Sequence, residues 1–136
     1  MFRQIFVNLP IQDMARSQAF FKALGLTFNP RFTNEQGACL EIGENFYAML
    51  LVESFFQGFV TKPISDAHTS TEVILALSVD SRAEVEAVMA KAVAAGATRI
   101  PATKDYGFMV QDGFADLDGH QWEVFWMDES AAPEQM

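Results

Sequence analysis

Few side chains in this chain could carry acid–base, nucleophilic or metal chemistry. There are two histidines and one cysteine among 136 residues. His120 follows Asp118-Gly119 and could titrate near neutral pH, although a histidine at the start of a strand more often has a structural place. His68 lies in a polar stretch and reads as surface. Cys39 sits in an apolar strand with no histidine close in sequence, so it reads as a small buried hydrophobe rather than a nucleophile. Glu123 is the carboxylate of most interest. Strand alternation puts Gln121, Glu123 and Phe125 on one face and Trp122, Val124 and Trp126 on the other. There Glu123 could act as a base or bind a cation. The plainer alternative is a structural carboxylate bonded to Asn8, Gln121 or a tyrosine. Tyr47, Tyr106, Phe108 and Met109 could line a cavity or be ordinary core. No P-loop, G-x-G-x-x-G or G-x-S-x-G pattern occurs, so nucleotide and serine-hydrolase chemistry have no support.

The elements that must position these residues occur twice. Ile5-Phe6-Val7-Asn8-Leu9 is β-prone and ends at Pro10. Asp13 is an N-cap, because its carboxylate can accept the orphan N–H groups of a first helical turn. Met14, Ala15, Ala19, Phe20, Ala23 and Leu24 recur at three- and four-residue steps, and Gly25 stops the helix. Strands 38–42 and 46–52 follow, joined at Gly43-Glu44-Asn45 as a hairpin. Residues 53–71 hold a short apolar patch (Phe55, Phe56, Phe59, Val60) and then a flexible loop, the candidate link between two halves. The order then recurs: a strand over 72–79, a capping box from Ser81 to Glu84, a helix with Val85, Val88, Met89, Ala92 and Val93 on one face, and Gly96 at its end. Strands follow at 98–100, 108–110 and 121–127. The caps Asp13 and Ser81 are 68 residues apart and the glycines 71 apart, against a half-length of 68. A run of strands after each helix predicts an α+β duplication of two βαβββ modules rather than a parallel array. Such modules can share a curved mixed sheet, with helices on one face and a cavity on the other.

Composition bounds the rest. Half of the residues are hydrophobic and 20% are charged, which is globular. The net charge is −9, and it is concentrated: Asp105 to Met136 holds eight acidic residues and no basic one. No basic stripe is available for nucleic acid or an anionic membrane surface. No apolar run reaches about 18 residues, so no membrane-spanning helix is expected. Met1-Phe2-Arg3-Gln4 has no apolar leader core, and one cysteine makes no internal disulfide, so a cytoplasmic protein is expected. The acidic quarter could attract a cationic ligand or be a solvated surface. Residues 129–136 are expected to be a polar tail.

Asp13-Met14-Ala15-Arg16-Ser17-Gln18-Ala19-Phe20-Phe21-Lys22-Ala23-Leu24-Gly25-Leu26 resembles the first helix of the vicinal oxygen chelate superfamily, D-x-x-x-S-x-x-F-Y-x-x-L-G-F. That superfamily includes glyoxalase I, bleomycin-resistance proteins and extradiol dioxygenases. Phe114-Ala115-Asp116-Leu117-Asp118-Gly119-His120-Gln121-Trp122-Glu123 resembles its F-x-D-P-D-G-H-x-x-E motif, with Leu117 in place of proline. Leu75-Ala76-Leu77-Ser78-Val79-Asp80 is similar to its fifth strand. The resemblance implies one domain over 1–128, with modules of about 1–60 and 70–128.

The resemblance also implies four positions at which metal-using members carry His or Glu. They fall on Phe6, on Met49 or Leu50, on Ile74, and on Glu123. Only Glu123 keeps a ligand, and Asn8 and Ser78 nearby are poor substitutes, so no metal and no cofactor is expected. A small-molecule-binding protein is expected instead, with Phe6, Asn8, Met49, Ile74, Glu123 and Phe125 around the ligand and a homodimer as the assembly. Whether it catalyses a reaction is left open. The alternatives are a metal-dependent lyase or isomerase of the glyoxalase I kind and an antibiotic-sequestering protein.

Overall fold

A computed structural model describes residues 1–101 and 103–134; the last two positions of the expected tail lie outside the described residues. Two compact units form, Met1–Asp66 and Ala67–Met136. The first contains β1 (Ile5–Ile11), α1 (Met14–Ala23), β2 (Thr27–Asn29), β3 (Gly37–Gly43), β4 (Phe46–Val52) and the short helix α2 (Glu53–Phe56). The second contains β5 (Ile74–Ser78), α3 (Arg82–Ala94), β6 (Thr98–Arg99), β7 (Lys104–Asp105), β8 (Met109–Ala115) and β9 (Gln121–Met127). The sheets have the order β1-β4-β3-β2 and β5-β9-β8-β6, with β7 paired to β8. In each, the first strand runs parallel to the last and the remaining pairs are antiparallel. This is the α+β architecture of two βαβββ modules.

Local chemistry explains the helix limits. Asp13 accepts the Arg16 N–H at 3.0 Å, and Ser81 Oγ accepts the Glu84 N–H at 3.2 Å. Glu84 reaches back to the N–H of Asp80 (2.7 Å) rather than to that of the cap itself, so the reciprocal bond ties the helix to the end of the preceding strand. Gly25 and Gly96 follow the helices at positive φ. One helix packs on each sheet, α1 against β3 and β4 and α3 against β8 and β9. Leu9, Ile11, Leu40, Ala48 and Leu50 fill the first core, and Val85, Met89, Phe114, Trp122 and Val124 the second.

Several boundaries differ from the sequence reading. The strand β1 continues through Pro10 to Ile11. It is a terminal strand of its sheet, where a missing N–H removes no ladder bond. The strand β2 has no counterpart in the sequence reading. Asn29 ends the short strand β2, and its side chain caps a 3-10 turn at Pro30–Phe32. The stretch after β4 is a short helix and a 3-10 turn, with Phe55 and Phe59 in edge contact (5.2 Å). The strand expected over 108–110 extends to Ala115, because Gln111, Asp112 and Gly113 continue the pairing with β9. The hairpin of β7 and β8 was not expected at all. Arg82 holds it: it pairs with Asp105, donates to the Gly107 carbonyl (3.2 Å) and lies over the Trp126 ring at 5.5 Å. The Gly107 N–H, and then Arg82, keep the Asp105 carboxyl below the usual carboxylate range. Among the described residues no helix is long and apolar enough to cross a membrane.

Gly119 is fixed twice. Its φ is +89°, and a Cβ there would meet the Ala67–His68 backbone at 2.7–2.9 Å. Gly119→Ala is therefore expected to cost at least the roughly 1–2 kcal/mol of a left-handed alanine, read as a lower urea midpoint at unchanged slope. A midpoint within error of the parent would remove Gly119 from the constraints on this fold.

Candidate functional site

Pairing register decides which side chains share a face. In the first unit Phe6 lies beside Tyr47 and Asn8 beside Met49, and β3 adds Glu41 next to Tyr47 and Cys39 next to Met49. These residues share the face opposite Leu40, Ala48 and Leu50. Phe6 and Tyr47 stack at 4.7 Å with an interplanar angle of 12°. The Asn8 side chain donates to the Phe6 carbonyl (3.2 Å). Cys39 is buried, and that burial, with Glu41 nearby, pushes its thiol up, so it is no ready nucleophile. Met49, not Leu50, is the residue on the Phe6 face.

The second unit repeats the arrangement with different chemistry. Here Ile74 lies beside Gln121, Ala76 beside Glu123 and Ser78 beside Phe125. On the other side of β9, Ala115, Gly113 and Gln111 lie beside Gln121, Glu123 and Phe125. The structure thus gathers Phe6, Asn8 and Met49 on one face of the first sheet, and Ile74, Glu123 and Phe125 on one face of the second. Corresponding strand pairs make Phe6 the counterpart of Ile74, and Met49 the counterpart of Glu123. Phe6 and Ile74 remain large exposed apolar residues (46% and 50%). Glu123 is half-buried, and among the described residues its carboxylate has no hydrogen bond or ion pair. Gln121 offers it none. Gly113 and Ala76, the small neighbours of Glu123, were missed, Gly113 because the sequence reading ended β8 too early and Ala76 because only strand pairing sets β5 beside β9. Among the described residues no three His, Cys, Asp or Glu side chains come together to hold a metal ion.

The D-x-D-G-H segment is a turn. Asp116 Oδ1 accepts the N–H groups of Asp118 (2.9 Å) and His120 (3.0 Å), and Oδ2 accepts Trp122 Nε1 at 2.9 Å. Burial pushes the Asp116 carboxyl up, against the opposing pull of nearby His120 and of these bonds. His120 is thereby placed at the base of β9, with its own carbonyl accepting the Asp116 N–H (2.9 Å). His68 is exposed, as the sequence suggested. Tyr106 is also exposed, on the β7–β8 turn and near Phe108.

With this geometry the chain can be compared with known proteins. The fold is shared by many solved structures. A hypothetical protein from S. aureus matches with TM-score 0.78 and 26% identity over 93% of this chain and 95% of that one. A glyoxalase/bleomycin resistance protein/dioxygenase family enzyme from Burkholderia phytofirmans gives 0.74 and 18% over 90% and 96%. A fosfomycin resistance protein from Listeria monocytogenes gives 0.69 and 14% over 96% and 97%. Residues 3–43 match the family model of the bleomycin resistance protein-like N-terminal region. No curated protein matches in sequence. The chain shares the fold of these structures, and the match over residues 3–43 agrees with the resemblance of its sequence to the vicinal oxygen chelate superfamily.

All three partners of Asp116 are donors, so an amide at this position would turn an N–H donor toward one of them. Asp116→Asn is expected to lower stability by about 1–3 kcal/mol, the cost of an unsatisfied buried polar group. Trp122→Phe, which removes the same bond and leaves a void where a fully buried indole stood, should cost at least as much. Chemical denaturation of both variants at pH 7 checks the order; equal stability of Asp116→Asn and the parent would show that the turn does not depend on the carboxylate.

Proposed function

We propose that this chain is a small-molecule-binding member of the vicinal oxygen chelate superfamily, with Glu123 setting ligand charge and Ile74 and Phe125 supplying apolar contact on the same sheet face. The observation that carries the reading is a half-buried carboxylate without a hydrogen-bond or ion-pair partner among the described residues. A structural carboxylate would be satisfied within the protein, as Asp116 is. Phe6, Asn8 and Met49 form the corresponding face of the first unit. A ligand bearing positive charge or hydrogen-bond donors suits Glu123 and the net charge of −9. The same charge argues against nucleic acid and anionic membranes as partners. A cytoplasmic setting fits the single cysteine.

The positions at which the superfamily's metal-using members carry ligands do not fit a catalytic metal. Phe6, Met49 and Ile74 offer no carboxylate or imidazole, and Phe6 is engaged with Tyr47. A lone carboxylate is a weak ligand set for Zn, Ni or Fe. The lyase or isomerase reading would need metal near one equivalent after dialysis, and elemental analysis decides it.

Glu123→Gln keeps the shape and removes the charge. Its stability is expected within about 0.5 kcal/mol of the parent, as for a side chain with no partner to lose. In a thermal-shift screen of organic cations and anions, ligands that stabilise the parent should be cations, and their stabilisation should fall in the variant. A clear loss of stability with unchanged ligand shifts would make Glu123 structural.

Assembly is proposed to be a homodimer, since Phe6, Phe46, Val73 and Ile74 leave large apolar area exposed on a single chain. Sedimentation is expected to give a species of twice 15.1 kDa at tens of micromolar, roughly where an obligate dimer persists. A lone monomer peak there would refute it.

A further inference from the structure

The surroundings of Glu123 on its own sheet form a slot. Across the strands it is flanked by Ala76 on β5 and Gly113 on β8. Along β9 it is flanked by Gln121 and Phe125, about 6.5 Å away at the two-residue step. The next rows raise the walls, with Ile74 beside Gln121 at one end and Gln111 beside Phe125 at the other. Glu123 therefore stands over a floor of two very small residues between bulkier ends.

The floor is enforced on one side. A Cβ on Gly113 would lie 2.9 Å from the Trp122 carbonyl oxygen and 3.9 Å from Glu123 Cα. Backbone blocks that position, so residue 113 can carry no side chain without shifting a strand, and the Ile100 side chain stands beyond it, with its Cδ1 3.8 Å from the same point. The three polar side chains around the slot, Glu123, Gln121 and Gln111, are half-buried and make no side-chain hydrogen bond among the described residues. A carboxylate and two amides offer acceptors at one narrow place. The region that carries them, from Asp105 onward, has no basic residue.

We propose that this slot takes a planar cationic group of the amidinium or guanidinium class. This rests on the reading of Glu123 as a ligand-binding residue and adds the shape of the ligand and two orienting residues. Strands stand about 4.8 Å apart, so a group entering beside Glu123 over Gly113 or Ala76 has to be thin. A planar N–H fork meets both carboxylate oxygens at once. Gln111 and Gln121 accept from its remaining N–H groups, and the face of Phe125 receives an attached ring. A quaternary ammonium has no N–H to offer and is too thick for the slot.

The test uses benzamidine as the probe, with benzoate as the anion of the same shape and phenyltrimethylammonium as the bulky cation, followed by amide-resolved NMR titration of the full chain at pH 7. Saturable benzamidine shifts are expected at Ala76, Gly113 and Glu123 and at the side-chain amides of Gln111 and Gln121, with neither control reproducing them. Glu123→Gln should weaken benzamidine at least tenfold. Ala76→Leu should do the same by filling the open side of the floor, and Ala76→Val serves if the leucine variant melts early. Gln121→Leu should weaken it several-fold. Absence of saturable shifts in the parent, or equal binding of phenyltrimethylammonium, overturns the slot. Loss with Glu123→Gln but not with either Ala76 variant overturns the slot and leaves Glu123 as a ligand-binding carboxylate. Benzamidine binding that is indifferent to Glu123→Gln overturns both.

Discussion

The buried Asp116 carboxylate, with three N–H donors and no cation hydrogen-bonded to it, is the contact on which the second unit's geometry turns. Two of the donors close the D-x-D-G-H turn, and the third is the indole of Trp122 on the helix-facing side of β9. Burying a carboxylate is costly, and burial pushes the Asp116 carboxyl up from its usual range. The bonds offset it only in one geometry. In that geometry β8 enters the turn and β9 leaves it in a fixed register, and Trp122 points into the core. Glu123, the next residue, must then point to the opposite face. The open carboxylate is open because its neighbour is pinned.

The same register supplies the space around Glu123. Gly113 pairs with it because the turn sets β8 against β9 without slippage, and a one-residue shift would put Asp112 or Phe114 there instead. Asp112 is in turn held on the helix side, where it accepts from Arg99 (2.6 Å) and Thr103 (2.8 Å). The polar side chains of β8 are thus divided by the pleat. Asp112, facing the helix, is paired within the protein, and Gln111 on the other face makes no side-chain hydrogen bond among the described residues.

The duplication shows how one framework holds two chemistries. Each unit has a parallel first-to-last strand pair, an N-capped helix and an antiparallel remainder. At equivalent places the first unit carries Asn8, Met49 and Cys39, and the second Ala76, Glu123 and Gly113. The strand pairing is the same in both units, although at Gly113 the close Trp122 carbonyl leaves no room for a side chain. The first unit fills its face with a stacked aromatic pair and a buried thiol, whereas the second keeps small residues around a charge.

Local signals were enough for much of the fold. Asp13 and Ser81 capped the helices because a side-chain oxygen one residue before a helix answers a need that the helix itself creates. Gly25 and Gly96 stopped them, and the spacing of the two sets revealed the duplication. Alternation along 121–127 was enough to separate Glu123 from the tryptophans, since a strand's period is two wherever it lies. Other features depend on residues distant in sequence. Pro10 stays in a strand only because β1 is terminal in its sheet. Asp112-Gly113 looks like a turn but is a strand interior, because β9 pairs with it throughout. The β7 hairpin exists through Arg82, more than twenty residues away. The floor beneath Glu123 is likewise a product of pairing, since Ala76 and Gly113 lie far from it in the chain and become its neighbours only when β5 and β8 take their places on either side of β9. Sequence alone determined the elements and the face of the carboxylate; the tertiary structure decided what stands beside it, because inter-strand register is set by long-range contacts and by one buried turn.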